Sequence, residues 1–294
     1  MRILVTGATG TVGSQVVREL EAGTTTVRAA SRNPAAARGA VDAEEYVDFD
    51  FGRPETWGAA LADFDRLFLV RPPELSNVDP ILAFLDAAER SGVDHVVALS
   101  VLGAEKNPLL PHRRIERHIE ASGLGYSFLR ASFFMQNFLT DHQQDVLGGE
   151  ISVPAGNGET SFVDARDVAA VAAFALKSEA HRRVAYDLTG PAALTYHEVA
   201  RIFTNVLDRP ITYSAPSLPT FAWQRYRDGT PLGKVIVMCG IYTTARLGFA
   251  GRVTTDVERL LGREPLDFTT FVAEYADQFD PGDAAAISPD RRAK

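Results

Sequence analysis

The sequence predicts an α/β fold, a doubly wound parallel sheet joined to a smaller, mainly helical C-terminal lobe, on three observations. The chain opens on a short apolar strand, Ile3-Leu4-Val5, that runs into glycines at 7, 10 and 13. From there to about residue 130, apolar strand patterns alternate with helical ones, the rhythm of parallel strands joined by crossover helices. Beyond Phe133 the rhythm gives way to helix and irregular chain. With 294 residues, 46% hydrophobic and 23% charged, the chain can bury one large domain or a domain with an appended lobe.

The opening stretch organises the rest. Ile3 to Val5 suits a strand buried on both faces of a parallel sheet. Gly7, Thr9, Gly10, Thr11, Val12 and Gly13 then make a turn into a helix whose first amides can face a pyrophosphate. The spacing is GxxGxxG rather than GxGxxG, so the glycines alone leave open a turn without a ligand. The helix that follows, with Val12, Val16, Val17 and Leu20 on one side, favours the nucleotide.

A second strand, Thr24 to Ser31, ends at Ser31-Arg-Asn-Pro34. Dinucleotide folds commonly place an acid here for the adenosine ribose, or a base for a 2′-phosphate. This chain has no acid there; it has Arg32, with Arg28 four residues earlier and Asn33 beside it, which favours NADP(H) over NAD(H), a solvated surface arginine being the alternative. Asn33-Pro34 also suits a helix start. Glu45 to Asp50 reads as a third strand ending in Asp50, either an adenine partner or a loop or cap carboxylate.

Pro54 to Leu61 reads as a short helix, and Arg66 to Val70 as a fourth strand stopped by Arg71-Pro-Pro73. Val70 and Arg71 are expected at the carboxyl end of the sheet, where ligands of open parallel sheets sit. Val78, Ile81, Leu82, Leu85 and Ala88 mark a helix closed by Gly92, Val93 to Ser100 a fifth strand, Pro111 to Gly123 a helix, and Tyr126 to Arg130 a sixth strand. His95 is expected at an edge or in a loop, and His118 in a structural role.

In the second half, Asp164 to Leu176 is an alanine-rich helix, Arg183 to Leu188 a strand, and Thr195-Tyr-His-Glu198 a capping box opening another helix. Residues 210 to 279 read as helices of the smaller lobe. The expected organisation is a cofactor-binding domain over 1–150, a substrate lobe over 151–280 partly interleaved with the sheet, and a disordered polar tail from 281 to 294.

The net charge of −8 argues against nucleic acid or an anionic membrane as partner. No stretch is apolar enough to span a bilayer, and the cytoplasm is the expected compartment. Cys239, the single cysteine, lies in an apolar run and cannot form an intrachain disulfide, and the six histidines show no HxxxH or HxH pairing, so no metal site is expected.

With these residues in view, the chain resembles the NmrA-like branch of the extended short-chain dehydrogenase/reductase superfamily. The likeness rests on Val5-Thr-Gly-Ala-Thr-Gly10 with Gly13, Arg32-Asn-Pro34, Val97-Ala-Leu-Ser100, His112-Arg-Arg-Ile-Glu116 and Leu129 to Asn137. Phe162 to Ala169 and Gly262-Arg-Glu-Pro265 add to it. The resemblance implies a Rossmann-type sheet binding NADP(H), in a family that includes NADPH-dependent quinone reductases and NADP(H)-sensing regulators. The superfamily's reductases use a Tyr-x-x-x-Lys pair; here the alignment puts Pro108 at the tyrosine position and His112 at the lysine position.

His112 shares a helix face with Ile115 and Ile119, so it should point inward. There it would bond the nicotinamide ribose or act as a general acid, the alternative being a first-turn surface histidine. Ser100 is a further candidate for catalysis and cofactor contact, since the superfamily's supporting serine position falls near Leu102. Phe133, Phe134, Met135 and Asn137 are expected to wall an apolar pocket, or else to be plain core, with Trp223, Tyr226 and Tyr242 as candidates to close it.

Two activities fit: an NADPH-dependent oxidoreductase reducing a quinone, enone or similar apolar carbonyl compound, and a non-catalytic NADP(H) sensor acting through a protein partner. A homodimer is compatible with either.

Overall fold

The computed structural model describes residues 1–21, 25–75 and 77–280. Gly23, Thr24 and the tail from Pro281 lie outside them. Two compact units share the chain. The first comprises Met1–Ser132, Ala165–Leu188 and Asp256–Arg263; the second comprises Phe133–Asp164, Thr189–Thr255 and the chain from Glu264. Elements are numbered along the whole chain.

The first unit holds a seven-stranded, all-parallel sheet: β1 (Arg2–Val5), β2 (Thr26–Ser31), β3 (Glu45–Asp48), β4 (Arg66–Leu69), β5 (His95–Val101), β6 (Gly125–Ala131) and β10 (Val184–Leu188). Their order is β10-β6-β5-β4-β1-β2-β3. Direction of build reverses between β1 and β4, which makes the crevice beyond those two strands the place where a ligand fits. Apolar residues on both faces account for the parallel arrangement: Ile3, Leu4, Val5, Leu67, Phe68, Val96 and Val97 are all buried.

Helices α1 (Gly13–Glu21) and α7 (Ala165–Lys177) pack on each other. In α1 the buried residues are Gly13, Val16, Val17 and Leu20, the face foreseen from the spacing. A separate apolar cluster joins Leu4, Leu69 and Ala98 of the sheet to α3 (Trp57–Leu61), α4 (Asp79–Arg90) and α5 (Pro111–Ala121) through Leu61, Phe84 and Ile119. The short α2 (Pro34–Ala37) is capped by Asn33, whose side chain accepts from the Ala36 amide, with Pro34 in its first turn.

Three expectations need correction. His95 lies at neither an edge nor a loop: it is fully buried in β5, between β4 and β6, with Nε2 3.0 Å from the Ser127 hydroxyl. The third strand ends at Asp48, and Asp50 belongs to the turn after it. The expected boundary at 150 also shifts: residues 133–150 belong to the second unit, while 165–188 and 256–263 belong to the first, where α11 (Asp256–Leu261) buries Val257.

The second unit carries α6 (Gln143–Leu147), α8 (Tyr196–Leu207), α9 (Leu218–Arg227), α10 (Leu232–Arg246) and α12 (Phe268–Glu274). Beside them run five short strands: β7 (Phe133–Phe134), β8 (Glu150–Ser152), β9 (Glu159–Val163), β11 (Ala193–Thr195) and β12 (Thr212–Ser214). Its core is aromatic. Phe138, Phe162, Phe203, Phe268 and Tyr242 are buried together, with edge-on contacts such as Phe162 on Phe268 at 5.2 Å between ring centres. The Thr195–Glu198 capping box forms as read.

Candidate cofactor site

At the reversal point, Thr6 joins β1 to β4. Its amide and its hydroxyl both donate to the Phe68 carbonyl at 3.0 Å, and the hydroxyl accepts from the Val70 amide at 3.0 Å. The side chain thus continues the strand pairing by one residue and sets the height at which the glycine turn leaves the sheet. Sequence reading passed over Thr6 because its neighbouring glycines carried the motif.

Gly7 follows with φ of +62°, a conformation that an L side chain rarely adopts. The turn closes through the Gly10 amide on the Gly7 carbonyl at 2.9 Å, and α1 starts at Gly13. A Cβ on Gly13 would lie 2.1 Å from the Gly7 carbonyl oxygen, so only glycine fits there. Thr9, Gly10 and Thr11 stay exposed above the helix start while Val12 is buried under it. The arrangement is an open cradle facing the amide end of a helix.

The two arginines of the second strand part ways. Arg28 is committed to the fold: it pairs with Glu45 at 2.5 Å, donates to the Ala59 carbonyl at 2.7 Å and lies over the Phe64 ring at 4.2 Å. Arg32 is exposed just past the end of β2 and makes no hydrogen bond or ion pair among the described residues. Asn33 spends its side-chain oxygen on capping α2. Asp50 accepts from the Gly52 amide at 2.7 Å, so one carboxylate oxygen holds its own turn.

After β4, Arg71 curls back on its own loop, donating to the Leu75 carbonyl at 2.8 Å and to the Pro72 carbonyl at 3.1 Å. Its Nε is buried without a partner, and burial lowers its pKa. Close to it, at the first turn of α5, His112 has no hydrogen-bond partner among the described residues. Burial first, and then the Arg71 charge, push its pKa down to about 4. At neutral pH it is an uncharged imidazole. Burial and the Arg71 charge disfavour the imidazolium that a general acid near neutrality would use, and leave the neutral ring one N–H to donate.

Ser100 also departs from expectation. It is buried, and its hydroxyl donates to Glu116 Oε1 at 2.7 Å. The strand register sets Ser100 beside Arg130, which grips the same carboxylate through two bonds of 3.0 Å, and Arg113 adds a third cationic contact at 3.0 Å. Burial alone would raise the Glu116 pKa, but Arg130, Ser100 and Arg113 together hold it below the usual carboxylate range. This network pins α5 to β5 and β6 one turn after His112. Its signal in the sequence was Glu116 itself, a carboxylate between two inward isoleucines. His118 bonds Asp86 at 2.7 Å and so ties α5 to α4, a structural role.

In the second unit, Met135 is buried and borders an apolar cavity of about 90 Å³ with Phe162, Leu194, Ile202 and Phe268. Phe133 and Phe134 are half-buried, Phe133 edge-on to Phe162, and Asn137 receives the Thr140 and His142 amides on its carbonyl. Tyr242 is core: its hydroxyl is 2.6 Å from His142 Nε2, while His142 Nδ1 lies 3.1 Å from Asp145. Trp223 and Tyr226 stand exposed on α9. A polar cavity of about 550 Å³, bordered by Asp145, Glu150, Ser214 and Arg225, contains none of the residues singled out from the sequence. Among the described residues no cluster of side chains could hold a metal ion, and no helix is long and apolar enough to cross a membrane.

A family model described as the NmrA-like family matches residues 1–225. The chain belongs to that family. An NAD(P)H azoreductase of Xenophilus azovorans is 34% identical over 283 residues, covering 94% of this chain and 99% of the relative. The crystal structure of an NADPH-dependent quinone oxidoreductase from Escherichia coli, complexed with NADPH, superposes with a TM-score of 0.84 at 25% identity, covering 94% of this chain and all of that one. A triphenylmethane reductase of Citrobacter sp., complexed with NADP(H), gives a TM-score of 0.80 at 26% identity, covering 93% and 100%. The Gly262–Pro265 and Phe162–Ala169 stretches meet: Arg263 pairs at 2.7 Å with the buried Asp167.

Proposed function

We propose that this NAD(P)H-dependent oxidoreductase reduces quinones, enones or similar apolar carbonyl compounds at the expense of NADPH. The observation that carries the reading is the lack of a poised acid around His112. Pro108 replaces the tyrosine, the Ser100 hydroxyl is held by Glu116 and the His112 imidazole is neutral. An acceptor that needs strong protonation as the hydride arrives would be reduced poorly here. A conjugated acceptor, whose negative charge spreads over a ring and is neutralised by water, is not so limited.

The residues fit the cofactor: the glycines let the Gly7–Gly13 turn close backbone to backbone, with Thr9, Gly10 and Thr11 exposed beside the start of α1, Arg32 has no partner among the described residues, and the Arg71 Nε is buried without one. When bound, NADPH supplies a hydride from its nicotinamide ring. The amides of the turn and of α1 bind the pyrophosphate, with Thr9 and Thr11 adding hydroxyls. Arg32 binds the 2′-phosphate, and Asp50 has one carboxylate oxygen to offer the adenine. Val70, Arg71 and His112 border the nicotinamide ribose, where the neutral imidazole gives or takes one hydrogen bond and orients the ring. The first unit is thus the cofactor-binding domain and the second the substrate lobe. The relatives named above act on azo, quinone and triphenylmethane compounds, in keeping with a conjugated acceptor.

The test is NADPH consumption with a quinone and an enone beside an unactivated aliphatic ketone. Turnover of the conjugated compounds alone supports the proposal. Preference for the ketone contradicts it, and tight NADPH binding without any turnover favours the sensor.

A further inference from the structure

Helix α10 has two apolar faces. One, through Val235, Met238, Tyr242 and Ala245, is buried in the core of its own unit. The other is exposed: Leu232, Ile236, Val237 and Ile241 are between 41% and 63% accessible, and Gly233 and Gly240 lie among them. These positions recur at the three- and four-residue spacing of a single helix stripe. No carboxylate occurs between 232 and 245, and the single cation, Lys234, has its amine 2.5 Å from Asp141.

The stripe has mirror symmetry. About a midpoint between residues 236 and 237, Leu232 corresponds to Ile241, Gly233 to Gly240 and Ile236 to Val237, and the buried Val235 to the buried Met238. Two copies of such a helix laid antiparallel across a twofold axis present apolar to apolar and glycine to glycine along their whole contact. That is the self-complementarity an isologous interface requires.

The glycines point the same way. Glycine weakens a helix interior, and a Cβ built on Gly233 or Gly240 meets nothing within 4 Å among the described residues. The fold of the single chain gives no reason for either. A facing helix does, because two glycines opposite each other admit an axial separation at the short end of the about 8–10 Å usual for packed helices. A standard interface takes about 800 Å² from each partner, more than one helix stripe supplies. Trp223 and Tyr226 on α9, which packs beside α10, and Leu247 and Phe249 just past its end are also exposed apolar side chains.

We propose that α10 is the centre of a homodimer interface in which the exposed stripe of one chain packs antiparallel on the same stripe of a second copy. Sedimentation of the full chain at micromolar concentration tests it. The wild type is expected at twice the 31.9 kDa chain mass. Ile236→Asp sets a charge against the apolar stripe of the partner and is expected to weaken association about a hundred-fold. Gly240→Leu guards against misfolding: the position is exposed and a Cβ there meets nothing within 4 Å among the described residues, so the thermal melt should hold or rise while association weakens about ten-fold or more. A wild type that sediments at the single-chain mass overturns the proposal. So does a dimer that both variants leave intact.

Discussion

A Cβ on Gly13 would stand 2.1 Å from the carbonyl oxygen of Gly7, so the start of α1 and the exit of β1 touch backbone to backbone. Neither side of that contact is a flexible side chain. Gly13→Ala is expected to cost about 3 kcal/mol of stability, the upper end for overpacking a tight contact, and to abolish NADPH binding by opening the turn. Gly10→Ala, whose Cβ would meet the same oxygen at 3.2 Å, should be milder. Urea unfolding and a fluorescence titration with NADPH read both effects; a Gly13→Ala protein with wild-type stability would contradict the geometry.

Arg32 and Arg28 should behave oppositely. Arg32→Ala removes a guanidinium with no partner among the described residues, so the fold should be indifferent. Loss of one charge-assisted phosphate contact, about 1.5–3 kcal/mol, should weaken NADPH binding roughly ten- to a hundred-fold and leave NADH unchanged. Arg28→Ala strips the Glu45 and Phe64 contacts and should lower stability without altering the preference between cofactors. Equal losses of NADPH and NADH in Arg32→Ala would show that Arg32 does not read the phosphate.

Ser100→Ala separates a structural hydroxyl from a catalytic one. It takes one of four hydrogen bonds from the buried Glu116 carboxylate, at an expected cost of about 1–2 kcal/mol, with kcat unchanged within a factor of about two. Arg130→Met removes a principal cation and should cost about 3–5 kcal/mol. A Ser100→Ala enzyme that folds normally but loses most of its turnover would restore the serine to catalysis.

The alternation of strands and helices was legible because buried parallel strands need continuous apolar runs and amphipathic helices need a periodic face. Chain order and the glycine turn followed from that. The Glu116 network was not legible: it depends on the register that sets Ser100 beside Arg130, and register between parallel strands joined by long crossovers leaves little local trace. His95 was misread for a related reason, since a polar residue in an apolar run looks like an edge until a neighbouring strand supplies Ser127. The assignment of 256–263 to the first unit rests on contacts such as the Asp187 amide with Asp256 at 2.9 Å, which join residues far apart in the chain.

Burial holds both His112 and His95 at a pKa of about 4, below the ordinary 6.5. Between those values the unfolded chain takes up protons that the native state excludes, so stability is full above about pH 6.5 and falls as pH drops toward 4. Each histidine contributes on the order of 3 kcal/mol to that loss. His112→Gln should leave a shallower decline in urea unfolding between pH 7 and pH 4.5. Since the imidazole stays neutral, NADPH turnover should show no inflection near pH 6.5 that His112→Gln removes; finding one would mean that His112 titrates in the working enzyme.

The most direct measurement is NADPH oxidation followed with a quinone as acceptor, beside the same reaction with NADH and with an aliphatic ketone. The account predicts consumption of NADPH with the quinone, markedly less with NADH, and none with the ketone. Rapid reduction of the ketone would contradict it, because that reaction needs a proton donor that the surroundings of Pro108, Ser100 and His112 do not provide.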